Sequence, residues 1–146
     1  MKILILSDSH RRFLKLNLTD YDYVIHAGDR GDLEFDDNVY YVRGNCDITG
    51  RDELNISIGD IRFFITHGHL YNVKYKMDNL IYRGMEQKAN IVIFGHTHHQ
   101  EVFKEKKILF INPGAYENGD FMVIDGKDLL IYKDDKLWRK INYEKI

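Results

Sequence analysis

The sequence predicts an α/β (α+β) sandwich, two mainly buried β-sheets packed together with few flanking helices. Three observations predict it. Six short β-branched or aromatic runs each stop at Gly, Asp, Asn or His. A single stretch carries helical spacing, and the C-terminal part is a run of strands joined by tight turns. Strands interleaved with one helix and followed by a meander suit two packed layers around one core.

The six runs come first in the chain. They are "KILILSDSH" (2–10), "YVIHAGD" (23–29), "VYYVRGNCD" (39–47), "RFFITHGH" (62–69), "IVIFGHTHH" (91–99) and "ILFINPG" (108–114). Continuous apolar runs bounded by turn residues read as strands buried on both faces. A short helix or a turn is expected over Arg12–Leu16. From Lys74 to Ala89, Met77, Leu80, Ile81, Gly84, Met85 and Lys88 recur at helical spacing, which predicts an amphipathic helix. Gly84 weakens a helix but lets it approach a sheet closely. "FMVID", "LLIYK" and "LWRKINY" then read as a meander, with Asp125-Gly126 a strong hairpin signal. Connections between the early strands are too short for many crossover helices.

Length and composition bound the rest. The chain has 146 residues, 44% of them hydrophobic, which suits a single domain over 1–146 with one sizeable core. Charged residues make up 30%, yet the formal net charge is −2, so there is no broad basic footprint for nucleic acid. The first apolar run is short and ends in Asp and His, unlike a signal peptide or a membrane span. Cys46 is the single cysteine, so no intrachain disulfide forms and a reducing, cytoplasmic setting is expected. No repeat, low-complexity segment or linker is visible.

Each of the six runs ends in groups able to bind a metal. Ligands collect at the carboxyl ends of strands in open α/β sheets. Asp8 and His10 lie two apart and point the same way if the chain is extended there, as do His96 and His98. Asp29, Asn45 and His67 each stand just past a strand. Two carboxylates, one amide oxygen and four imidazoles therefore converge on one edge. Such N and O donors suit divalent Mn, Ni, Fe, Co, Zn or Mg, with manganese the first choice. Seven donors are too many for one ion and fit two ions sharing a bridging aspartate. Two carboxylates and a bridging hydroxide against two divalent ions leave roughly one positive charge. That centre attracts a phosphate ester and supplies the water and charge that phosphoryl hydrolysis needs.

The ordered series "DSH … GD … GNCD … HGH … GHTH … NPG" resembles the calcineurin-like metallophosphoesterase superfamily, nearest its small bacterial and archaeal phosphodiesterase branch. The resemblance runs from Asp8 to Gly114. It implies a two-sheet sandwich, one metal on Asp8, His10, Asp29 and His98, and a second on Asp29, Asn45, His67 and His96. Asp29 and a nucleophilic water or hydroxide bridge them, and a phosphodiester is attacked in line. It also implies a small phosphate-ester substrate, no membrane partner and a homodimer as in many relatives. The catalytic assignments are Asp29, Asn45 and His69.

Three departures from the pattern matter. Cys46 stands where many members carry a leaving-group His, so esters with acidic leaving groups are favoured. Ala115 replaces the usual Ser after "NPG", which removes one expected hydrogen bond from that loop. Segments 11–20 and 31–38 are short, so the pocket is expected to be more open there.

Blander readings stand beside these. His69 is placed to touch substrate phosphate, with a plain loop histidine as the competing reading. His99 reads as an exposed bystander, and Asp47 as a turn or supporting residue. His26 reads equally as a support of the site and as a satisfied core histidine. Cys46 reads also as a small buried apolar residue. The same site on a phosphomonoester or nucleotide is the alternative enzyme. A non-catalytic scaffold of the same fold is the alternative from another class.

Overall fold

The structure is a computed structural model and describes residues 1–10, 12, 14–31 and 37–146. Among the described residues eleven strands form two mixed sheets. The first sheet has the order β11-β10-β9-β1-β2-β3, and the second β4-β5-β6-β8-β7. Its strands are β1 (Lys2–Leu6), β2 (Tyr23–His26), β3 (Val39–Tyr41), β9 (Phe121–Asp125), β10 (Asp128–Lys133) and β11 (Lys136–Asn142). The second sheet comprises β4 (Glu53–Ile58), β5 (Ile61–Thr66), β6 (Ile91–Ile93), β7 (Glu101–Glu105) and β8 (Ile108–Asn112).

Burial on both faces follows from three apolar layers. Ile3 and Ile5 of β1 join Phe63, Ile65, Ile91, Ile93 and Ile111 of the second sheet in the layer between the sheets. The alternate residues Leu4 and Leu6 pack outward with Val24, Tyr116 and Phe121. On the far side of the second sheet, Phe64, Val92 and Phe110 pack under Leu80 of the helix. Alternating side chains thus all find apolar partners, which is why these strands read as unbroken hydrophobic runs. At about 25 cal/mol per Å² of apolar surface, each such buried Ile or Leu contributes roughly 2 kcal/mol.

The helix, α1, spans Asp78–Glu86 and is shorter than the expected Lys74–Ala89. Residues 74–77 are held instead by a turn in which the Tyr75 and Lys76 amides both donate to the Asn72 carbonyl. At the other end Lys88 adopts φ 54°, which ends the helix. Gly84 is buried, and a Cβ there would lie 3.0 Å from Val92 Cγ2, so the small residue does allow close approach to the sheet. Neither the short helix nor the turn expected over Arg12–Leu16 is found among the described residues there. A 3-10 turn capped by Asn17 occupies Leu18–Asp20 instead. Most of the 31–38 segment lies outside the described residues.

Six parallel strands aim at one edge. β1, β2 and β3 run parallel in one sheet, and β5, β6 and β8 run parallel in the other. These are the six runs of the sequence. β4 and β7 were not expected. β4 alternates Leu54, Ile56 and Ile58 against the central layer, a period-2 signal that its polar neighbours dilute.

Candidate metal centre

The residues after the six parallel strands do not continue as extended chain. Asp8, His10, Asp29, His96 and His98 all have positive φ, between 45° and 71°. Among the described residues eleven non-glycine positions do so, and five of them are candidate ligands. This corrects the expectation that Asp8/His10 and His96/His98 converge by strand alternation. Left-handed turns bring them together, a conformation that Asp and His tolerate better than most residues and that concentrates at functional sites.

Each aspartate commits one oxygen to the scaffold and aims the other inward. Asp8 Oδ2 accepts hydrogen bonds from Ser7 Oγ (2.6 Å) and the His96 amide (3.1 Å). Its Oδ1 is buried, receives no hydrogen bond, and faces His98 Nε2 at 3.3 Å, His67 Nε2 at 3.7 Å and His10 Nε2 at 3.9 Å. Asp29 Oδ1 accepts from the Cys46 amide at 2.8 Å. Its Oδ2 lies 3.2 Å from His67 Nε2 and 3.8 Å from His10 Nε2. In the structure Oδ2 alone looks toward both groups.

The second group closes around His67. Its Nδ1 donates to the Ala27 carbonyl at 2.7 Å, which places the other nitrogen's lone pair toward the site. His67 Nε2 lies 3.0 Å from Asn45 Oδ1 and 3.2 Å from His96 Nδ1, and His96 Nδ1 lies 3.1 Å from the same Asn45 oxygen. His98 thus joins Asp8 while His96 joins Asn45 and His67, the division the family pattern implies. All seven predicted ligands meet. So many inward acceptors fit divalent cations with N and O preference.

Glycines permit this crowding. A Cβ on Gly44 would fall 2.1 Å from Asp29 Oδ1, and one on Gly95 would fall 2.0 Å from Ser7 Oγ. Asp47 cages the loops, accepting from the amides of Asp29 (2.8 Å), Arg30 (3.1 Å) and Gly44 (2.9 Å). It is a supporting residue, as expected. His26 satisfies both of its readings. It is fully buried, its Nδ1 accepts from the Gly28 amide, and its Nε2 meets Ser9 Oγ at 2.9 Å.

Electrostatics follow from the geometry. Burial alone would raise the Asp29 pKa, but the hydrogen bond and charge of His67 and the Cys46 amide hold it well below the carboxylate range. Burial opposes protonation of His67, but Asp29 and Asp8 outweigh it and raise its pKa. Burial, then the charges of His67 and Lys74, lower His96 to about 4. Burial and His67 also lower His69. His96 and His69 are therefore neutral donors of lone pairs at pH 7.

Three further residues reach the centre. His69 lies beside it, ring centroids 5.4 Å from His67 and 6.1 Å from His96, with a buried Nδ1 that has no hydrogen-bond partner. Cys46 is exposed, which corrects its reading as a buried apolar residue. Its sulfur groups with His10 and Asp29 as a possible donor set. Glu117 was missed by the sequence reading. Backbone bonds from Tyr116 to Ser7 and from Glu117 to Asp8 dock its loop on the site, and its Oε2 comes within 3.8 Å of His10 Nε2. Nothing in its local sequence signals this. The same bonds hold the loop around the fully buried Ala115. His99 is exposed, as expected.

The chain is similar to known phosphoesterases. The model of the calcineurin-like phosphoesterase superfamily domain matches residues 1–126. A probable metallophosphoesterase of Bacillus subtilis is 37% identical over 129 residues, covering 79% of this chain and 75% of its own. A phosphodiesterase of Methanocaldococcus jannaschii is 34% identical over 145 residues, covering 78% and 83%. Among solved structures, a predicted phosphoesterase from Streptococcus pneumoniae superposes with a TM-score of 0.77 at 25% identity, over 96% of both chains. Vps29 from Entamoeba histolytica, complexed with Zn²⁺, superposes with a TM-score of 0.73 at 20% identity, over 98% of this chain and 99% of that one. The latter likeness is one of fold.

Proposed function

The chain belongs to the calcineurin-like phosphoesterase superfamily, and from that premise we propose that it is a metal-dependent phosphodiesterase with a dinuclear centre. One observation carries the reading. Asp29 Oδ2 looks toward both His10 and His67, while Asp8 Oδ1 lies buried with no hydrogen bond beside His98. One oxygen facing two imidazole groups is the arrangement two neighbouring cations need.

Asp8, His10, Asp29 and His98 would hold one ion, and Asp29, Asn45, His67 and His96 the other, with manganese the first choice. When bound, divalent ions supply positive charge to the phosphoryl oxygens and acidify a water for attack. The chain's own residues do the rest. Ala27 fixes the His67 tautomer, and Asp47 fixes the loop that carries Asp29. His69 Nδ1 is placed to hold a phosphoryl oxygen. Burial and Asp29 raise the Cys46 pKa, so the thiol keeps its proton but is a poor donor to a departing alkoxide. That favours diesters with acidic leaving groups over monoesters, whose extra charge needs a stronger donor. Among the described residues no helix is long and apolar enough to cross a membrane, and the single cysteine fits a cytoplasmic setting.

The test is hydrolysis of bis(p-nitrophenyl) phosphate with Mn²⁺ or Ni²⁺, against p-nitrophenyl phosphate, with metal content measured in parallel. Turnover favouring the diester, and loss of bound metal in His98→Ala, are expected. A folded protein that binds metal yet hydrolyses neither ester is instead a scaffold. Faster monoester turnover makes it a phosphomonoesterase.

A further inference from the structure

A groove of about 550 Å³ opens beside the centre, between the turn over 73–77 and the loop after β6. Lys74, Tyr75, Lys76, Thr97, His99 and Glu101 are among the residues that line it. Thr97 sits between His96 and His98, so the groove adjoins the candidate metal centre. We propose that this groove is a subsite for the leaving side of the substrate, and that the substrate is a nucleotide-bearing phosphodiester whose further phosphate lies on Lys74, Lys76 and His99 and whose base lies on Tyr75. The proposal rests on the phosphodiesterase reading.

The walls are built, not incidental. Val73 is buried in the layer under α1, and Gly68 must lack a side chain because a Cβ would meet Val73 Cγ2 at 2.8 Å. That anchor, and the two amide bonds to Asn72, project residues 74–76 outward. On the other wall, Thr97 Oγ1 accepts from the His99 amide (3.1 Å) and from Asn112 Nδ2 (2.9 Å). Tyr75 is 87% exposed, an aromatic face presented to solvent without burial to account for it. An aromatic face beside clustered cations suits a base and a phosphate together. The volume falls within the range of small-molecule sites, roughly 300–1,000 Å³. Glu101 adds a negative charge to the same lining, so the groove does not attract anions uniformly.

In the reaction, a water oxygen forms the new P–O bond, the ester P–O bond breaks, and a proton released by that water passes to the departing nucleoside oxygen. Cys46 is a poor donor to that oxygen, so the groove is read from two substrates that share the same leaving oxygen. The dinucleotides pApA and ApA differ in one terminal phosphate and so isolate the groove's contribution. With Mn²⁺-loaded protein, pApA is expected to show kcat/KM about tenfold above ApA, since two exposed charge contacts contribute a few-fold each. The double variant Lys74→Ala/Lys76→Ala should bring that ratio close to one, and Tyr75→Ala should lower both dinucleotides relative to bis(p-nitrophenyl) phosphate. Equal rates for pApA and ApA in the wild type, or an unchanged ratio in the double variant, overturn the subsite while leaving phosphodiesterase activity standing. If no diester is hydrolysed, the enzyme reading falls. Equilibrium binding of AMP then decides the subsite: about tenfold weaker binding by the double variant supports it, and equal binding overturns it.

Discussion

His67 Nε2 and His96 Nδ1 stand 3.2 Å apart, two ring nitrogens carried past the ends of β5 and β6 and facing one another across Asn45 Oδ1. One proton can satisfy one such contact at a time. The remaining lone pairs face each other without a donor between them, which opposes folding unless a cation is present.

Adding Mn²⁺ to chelator-treated protein should therefore raise its melting temperature. At a hundredfold excess over the dissociation constant, one site contributes about 2.7 kcal/mol. For a chain of this size that is about 8 °C. Differential scanning calorimetry measures it, and an unchanged melting temperature at millimolar Mn²⁺ would show that the cluster holds no metal.

His26 makes metal-free stability depend on pH. Burial, followed by the charges of His67 and Arg30, depresses its pKa to about 3, below the ordinary 6.5 of an unfolded chain. Between those values the unfolded state binds the extra proton. Stability is thus whole above about pH 6.5 and is lost as pH falls toward 3, at about 1.4 kcal/mol per pH unit. Urea unfolding at pH 7.5, 5.5 and 4.5 should show this slope in the wild type. His26→Gln should have a shallower slope, and equal slopes would remove His26 from the account.

Gly44→Ala should damage the centre without substituting any candidate ligand. Its Cβ would fall 2.1 Å from Asp29 Oδ1 and 2.5 Å from the Asp29 amide, so the carboxylate must move. The expected loss is about 2 kcal/mol of stability and at least about a hundredfold in kcat/KM, from misplacement of a ligand. Bound metal counted by elemental analysis should drop with it. A variant retaining full metal content would mean that Asp29 tolerates displacement.

Glu117→Gln tests the carboxylate that approaches His10. Its side chain is half exposed, so its field is screened and its effect modest. Cation affinity measured by calorimetry should fall about threefold to fivefold, with the fold unchanged by circular dichroism. Unaltered affinity would confine Glu117 to the rim.

Much of this protein is local and therefore legible. The six parallel strands are visible because burial on both faces leaves unbroken apolar runs. The seven candidate ligands are visible because each sits directly past such a run. α1 is visible by period, but its length is not. A turn in which the Tyr75 and Lys76 amides donate to the Asn72 carbonyl precedes it, and no periodicity reports where that turn gives way to helix. β4 turns Leu54, Ile56 and Ile58 to the central layer among polar neighbours, and β7 offers only the half-buried Val102 and Phe103, so their signal is weak in sequence and strong only in pairing.

What the tertiary structure decided is how those local pieces meet. The sequence by itself determined which residues stand at the strand ends, and their chemistry narrows them to metal and phosphate. It did not determine that left-handed turns, not strand alternation, bring Asp8 to His98. Nor did it determine that a single Asp29 oxygen faces both groups, that Asp47 gathers three amides, or that Glu117 reaches His10. Each of these is a contact between loops far apart in the chain. It is fixed by where two packed sheets place their edges, and by which side-chain oxygens the neighbouring backbone has already taken.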